Sequence, residues 1–204
     1  YVMAKNTSKT NLRFMKGTMV TPSGTAGWVS LVEPDTMSGK YSIEVKIDHD
    51  SKEWQKFLAT CLKFENEERA NDGLKAAKEC SLVKHKKART SEDADGNKIH
   101  YEAYDYIKPT RNPEKKGQAV CVDSHTNDCP LGLVWGGSTV KVEISVAYTN
   151  SPMYTGLTSY LTAVQLITTP AKMEGSGATK FGTEDGFVAT VSTEGVEDLP
   201  FDPE

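Results

Sequence analysis

Residues 138–148, STVKVEISVAY, alternate without a break. Val140, Val142, Ile144 and Val146 fall on one side, and Lys141, Glu143, Ser145 and Ala147 on the other. A period of two is the signature of a strand with one dry and one wet face. Slipping its register by one residue would move the whole apolar set into water. The pattern recurs in KYSIEVKID (40–48), where Tyr41, Ile43, Val45 and Ile47 oppose Ser42, Glu44, Lys46 and Asp48. The face with Tyr41 is expected to be core. TSYLTAVQLIT (158–168) follows the loop TNSPMYTGL, and RFMKGTMVTP (13–22) and GWVSLVEP (27–34) read as strands that end at Pro22 and Pro34. KIHYEAYDYI (98–107) and QAVCVDS (118–124) add two more.

One helix interrupts the strands. Asp50 is a candidate cap with Glu53 reaching back, and Trp54, Phe57, Leu58, Cys61 and Leu62 form one apolar stripe at helical spacing. The helix is predicted over about 50–71, ending at Asp72-Gly73, with a second short helical piece reaching Cys80. Residues 84–96, KHKKARTSEDADG, read as a mobile polar loop with cations first and anions after. No strand-helix-strand repeat of the kind that builds a parallel sheet is present. The expected fold is all-β with an inserted helix: an OB-fold, a five-stranded Greek-key barrel with extra strands, over residues 1–170. Residues 171–204 are expected to be a flexible, acidic C-terminal tail.

Charge separates these two parts. The 204 residues carry 24 basic and 28 acidic side chains, a net of −4. Seven of the acids, and no Lys or Arg, lie from Glu184 onward, so residues 1–183 hold 24 basic and 21 acidic groups and a net +3. A mildly basic body with an acidic end suits a polyanion-binding surface with a competing tail.

Catalytic signatures are missing. The glycine-rich spots at 24–27, 136–137 and 175–177 lack the Lys-Ser/Thr of a phosphate loop, and there is no G-x-S-x-G or H-E-x-x-H. Asp123, Ser124 and His125 are sequence neighbours on a strand, which points them to opposite faces and defeats a triad. The spacing of Cys121, His125 and Cys129 matches no common zinc finger. The bland account is a strand Cys121 and a loop Cys129, both reduced. No enzyme activity, metal or cofactor is expected. No apolar run approaches the roughly 18 residues of a membrane span, no signal peptide is apparent, and Tyr1-Val2 read as a remnant ahead of a Met3 start.

The stretch 98–118 packs three tyrosines among five cations. On a strand, Tyr101, Ala103, Asp105 and Ile107 share one face, and His100, Glu102, Tyr104, Tyr106 and Lys108 the other, with Arg111 just beyond. Tyr101 is expected to pack. Rings beside cations suit unpaired bases, which stack for about 1–3 kcal/mol each while Lys and Arg meet the phosphates. A duplex hides those base faces. The candidate stacking residues are Tyr104, Tyr106, Tyr148 and Tyr154. The candidate phosphate ligands are Lys84, Lys86, Lys87, Arg89, Lys108 and Arg111, with Lys46 and Lys141 on outward strand faces. A barrel module for phage structure or assembly, with no nucleic-acid role, is the rival reading; it predicts lysines spread evenly over the surface. RNA is open as a ligand, since nothing in the sequence marks a reader of the 2′-hydroxyl.

GTAGWVSLVEPD followed by GKYSIEVKID resembles the first long hairpin of the single-stranded DNA-binding proteins of phages similar to phage T7. GGSTVKVEISVAY with LTSYLTAVQLI resembles their last hairpin, and the helix from Asp50 stands where that family inserts one. The order of elements matches over roughly residues 20–170. The resemblance implies a protein that coats exposed single strands in phage DNA replication, recombination and repair, in the cytoplasm of an infected bacterial host. It places family binding aromatics at Tyr104 and Tyr148 and the basic loop at 84–89. It also implies a homodimer formed by exchanging tails, and an acidic tail bearing Glu197, Asp198 and Phe201 that contacts phage replication proteins such as polymerase and helicase/primase. Here Asp202-Pro203-Glu204 follow the aromatic that would close a family member.

Overall fold

The computed structural model describes residues 11–92 and 96–170. The tail residues Glu197, Asp198 and Phe201 lie outside the described residues. Strands β1 (Asn11–Phe14), β2 (Met19–Val20), β3 (Gly24–Ser30) and β4 (Tyr41–Lys46) precede the long helix α1 (Lys52–Asn71). Then come β5 (Lys84–Lys86), β6 (Arg89–Glu92), β7 (Lys98–Tyr101), β8 (Tyr104–Ile107) and β9 (Thr110–Arg111). The short helix α2 (Pro113–Lys116), β10 (Val120–Val122), β11 (Thr139–Ser151) and β12 (Tyr154–Thr168) complete the order.

β11 and β12 form a long antiparallel hairpin, and the sheet closes through them. β12 meets β9 in parallel at Tyr160 and Thr110, β9 and β8 pair with β4, and β4 pairs with β3. β3 returns to β11, with Thr25 opposite Thr139. The result is a five-strand ring resembling a barrel, mostly β, with one main helix. Val140, Val142, Ile144 and Val146 all point inside, together with Ile43, Val45, Ile107, Leu161 and Val164. No helix among the described residues is long and apolar enough to cross a membrane.

The helix begins one residue later than the capping pattern suggests. Ser51, not Asp50, is the cap: its Oγ accepts from the Trp54 amide at 3.4 Å and donates to Glu53 at 2.9 Å. Trp54, Phe57, Cys61 and Glu65 make the buried stripe, and the Trp54 indole N–H donates to the Ser23 carbonyl at 2.9 Å. Gly73, at φ +70°, reverses the chain after Asn71. The second helical piece expected before Cys80 does not form. Asn66 holds that segment open instead, accepting from the Ala77 amide at 2.7 Å and donating to the Ala77 carbonyl at 3.3 Å.

Three further strand expectations change. The stretch 13–22 splits at Gly17, whose φ of +81° makes a turn between β1 and β2. Within the expected loop at 84–96, Lys84–Lys86 and Arg89–Glu92 are strands. β5 joins the main sheet through β8, and β6 pairs with β7 as a separate two-stranded ribbon. The expected strand 98–107 breaks at Glu102 and Ala103, where the chain leaves the ribbon for the sheet. That break undoes the face assignment of Tyr101, which is 41% exposed rather than packed.

Candidate nucleic-acid interface

The site is built on a β-bulge. Ala26 pairs with Val45 and Val29 with Ile43, so two residues, Gly27 and Trp28, stand opposite Glu44 alone. Bulges re-aim side chains. Ala26 and Val29 keep their inward positions, and Trp28 is turned out, 57% exposed. A Cβ at Gly27 would lie 3.1 Å from the Glu44 carboxylate and 3.2 Å from the Tyr104 hydroxyl, so glycine lets both approach β3.

Glu44 is 4% exposed, although strand alternation places it on the outer face of β4. A buried carboxylate needs partners. Its Oε2 accepts from Lys86 Nζ at 3.0 Å, the Tyr104 hydroxyl at 3.1 Å and the Trp28 amide at 3.3 Å. Lys108 Nζ lies 3.8 Å from Oε1. The Tyr104 hydroxyl first, then the Glu44 carboxylate, outweigh partial burial and push Lys86 above the usual lysine range, which keeps it charged. Two ammonium groups against one carboxylate leave a net positive centre.

This centre divides two shallow hollows. One, about 170 Å³, includes Gly27, Trp28, Lys86, Lys87, Arg89, Tyr101 and Tyr104 in its lining. The other, about 280 Å³, includes Lys84, Lys108, Thr110 and Tyr154. Glu44 thus holds one lysine from each. Tyr104 and Tyr106 sit edge to face with centroids 5.7 Å apart. Lys46 lies 4.4 Å and Lys86 5.3 Å from the Tyr104 ring centre, and Arg89 lies 5.0 Å from that of Tyr101. Burial first, then the charge of Glu44, raise the Tyr106 phenol above its ordinary value, so the ring stays neutral.

Most of the expected residues converge here: Tyr104, Tyr106 and Tyr154, with Lys46, Lys84, Lys86, Lys87, Arg89 and Lys108. Three do not. Tyr148 is fully buried, its ring under the Arg13 guanidinium at 5.2 Å, so it has no free face for a base. Tyr148 continues the inward face of β11 after Val146, and β1 pairs alongside with Arg13 opposite it, so the local alternation and not the family resemblance describes this ring. Arg111 directs its donors to the carbonyls of Lys116, Gly117, Leu161 and Thr162 at 2.7–3.3 Å, and so fastens backbone. Lys141 lines a separate hollow beside Asp48, Glu53 and Lys56. Trp28 and Tyr101 were missed as exposed rings. The signal for Trp28 was the glycine before it, since Gly inside a strand pattern often marks a bulge.

Asp105 braces the wall that carries Lys84 and Lys86. It takes His85 Nδ1 at 2.7 Å and His49 Nε2 at 2.8 Å, joining β5 and β8 to the turn before α1. Burial pushes its carboxyl up, but the hydrogen bonds and charges of His85 and His49 win and hold it below the usual carboxylate value. A depressed acid adds stability above its unfolded pKa, and that stability is lost as pH falls through the folded value. Asp105→Asn is therefore expected to be less stable than wild type near neutral pH, with the gap closing as pH falls below about 4. Urea unfolding across pH checks this; a gap that does not change with pH would refute the brace.

The fold is shared with phage single-stranded DNA-binding proteins. The protein of bacteriophage Enc34 in complex with ssDNA matches at a TM-score of 0.53 with 14% identity, over 76% of this chain and 88% of that one. Another Enc34 structure matches at 0.51 with 14% identity, over 83% and 96%. The gp2.5 single-stranded DNA-binding protein of bacteriophage T7 aligns over 86% of this chain and all of that one, at 20% identity and a TM-score of 0.48. No protein-family profile and no curated protein sequence matches the chain.

Proposed function

We propose that this protein binds single-stranded DNA without sequence preference and performs no chemistry on it. The observation that carries the reading is the cluster around Glu44. Trp28, Tyr101, Tyr104 and Tyr106 lie there among Lys46, Lys86, Lys87, Arg89 and Lys108. The complex of the Enc34 protein with ssDNA supports it from the side of the fold. Bases stack on the rings, and phosphates take the cations. Lys46 lies over Tyr104 at rest, an interaction of about 0.5–1 kcal/mol at an exposed site, while Lys86 is held by Glu44. A stacked base contributes about 1–3 kcal/mol. Exchanging Lys46 for a base is therefore favourable, and its displaced ammonium group is left beside the backbone.

On this reading residues 1–170 are an OB-fold binding domain that coats exposed strands in phage DNA replication, recombination and repair. Residues 171–204 are an acidic tail that competes with DNA for the basic groove and recruits replication proteins. A competition titration of poly-dT, duplex DNA and RNA over several salt concentrations tests the core of this. Poly-dT should displace duplex by at least about tenfold, since only the single strand offers base faces. Six groove cations, Lys84 of the second hollow with the five above, one of them offset by Glu44, give an expected log–log salt slope of about −3.5, at about 0.7 per phosphate. A chain ending at 183 should bind more tightly, most clearly at low salt. Equal affinity for duplex and single strand would overturn the reading.

A further inference from the structure

A second aromatic and basic patch lies beyond the groove. Phe14 on β1 and Tyr160 on β12 flank β11, opposite Ala147 and Ser145 respectively. Their ring centroids are 5.8 Å apart at 37°. Phe14 is 55% exposed and its neighbour Leu12 45%. Flat apolar surface of this kind, left in water, marks a contact site.

Cations surround these rings. The hollow they line, about 390 Å³, also takes in Lys40, Lys115 and Lys116, and no carboxylate is among its lining residues. Lys115 and Lys116 are exposed on α2, and Arg111 sets them there. Its guanidinium donates to the Lys116 carbonyl at 2.7 Å and the Gly117 carbonyl at 2.9 Å, fixing the turn from which both lysines project. The arginine that does not face the first groove thus organises this one.

The patch is also continuous with that groove. Thr110 lines both this hollow and the one containing Lys84, Lys108 and Tyr154. It pairs with Tyr160 on one side and Ser42 on the other, two residues along β4 from Glu44. Thr110 thus lies between Lys108 and the Phe14–Tyr160 rings.

We propose that Phe14, Tyr160, Lys40, Lys115 and Lys116 form a second subsite for single-stranded nucleic acid, which extends the path of one bound strand beyond the Glu44 groove. The inference rests on the groove being a single-strand site. Its ligand is the same sugar-phosphate chain with unpaired bases; it stacks on the two rings and pairs its phosphates with the three lysines.

The test compares the full chain with Lys115→Gln/Lys116→Gln and with Phe14→Ala. All three substitutions fall on exposed side chains. Two probes are used, oligo-dT of about 4 nucleotides and of about 16, spanning the usual range for one such barrel. Both variants should bind the long probe about tenfold more weakly and the short probe as wild type does, because a short strand is held in the first groove. The double lysine variant should also lower the salt slope for the long probe by about 1.4, two phosphates' worth. Variants that bind both probes like wild type would overturn the second subsite and leave the groove standing. The same result, joined by weaker self-association, would reassign the patch to a contact between copies. A wild-type protein that binds neither probe would remove the groove reading and this one with it.

Discussion

Replacing Trp28 and Tyr104 together with alanine should weaken poly-dT binding by about a hundredfold or more. Each ring offers a base a stacking face worth about 1–3 kcal/mol, and 1.4 kcal/mol is tenfold in affinity. Trp28 has the larger effect expected of it, because its indole is the most exposed ring of the groove and the bulge fixes its direction. Tyr104 contributes twice, through its ring and through the hydroxyl that helps Glu44 hold Lys86. Stability should change little, since neither side chain belongs to the buried core. Fluorescence anisotropy of labelled oligo-dT measures the loss, and thermal unfolding provides the control. An affinity within about threefold of wild type, with the fold intact, would remove these two rings from the interface.

Tyr148→Ala should do the reverse. The ring is fully buried between β1 and the core, so truncation is expected to cost about 3–5 kcal/mol of folding stability, as for other large aromatics. In a domain of this size that lowers the unfolding midpoint by roughly 10 °C or more. Poly-dT affinity, measured well below that midpoint, should stay at the wild-type value. Burial first, and then the charge of Asp72, push the Tyr148 phenol above its ordinary value, so the hydroxyl is neutral and Tyr148→Phe should be mild. If Tyr148→Ala kept its stability and lost DNA affinity, Tyr148 would be restored as a platform and its burial rejected.

The two tyrosines show what the sequence could convey. Alternation in β4 and β11 gave the inward faces directly, because burial on one side imposes the period. The helical stripe from Trp54 to Cys61 was legible for the same reason. Tyr104 and Tyr106 were placed on a common face because they lie two apart on one strand. Tyr148 shares the inward parity of Val140 to Val146, so its burial was legible in the alternation; the family resemblance alone made it a platform. Tyr101 was misjudged because two residues, Glu102 and Ala103, leave the sheet and reset the alternation. Glu44 looked like an ordinary wet-face acid; its burial depends on Lys86 and Lys108 arriving from β5 and from beyond β8. Arg111 reads as a phosphate ligand in the sequence, but the carbonyls of Leu161 and Thr162, fifty residues on, take its donors.

A regular ladder would leave a single outward slot opposite Glu44. The extra residue in β3 supplies two. Gly27 fills one with nothing but backbone and so roofs the acid; Trp28 fills the other with the largest side chain available. The aromatic surface and the counter-charge beneath it therefore occupy separate volumes. The Trp28 side chain can therefore be varied without displacing Glu44, which stays beneath the Gly27 backbone and keeps the Trp28 amide.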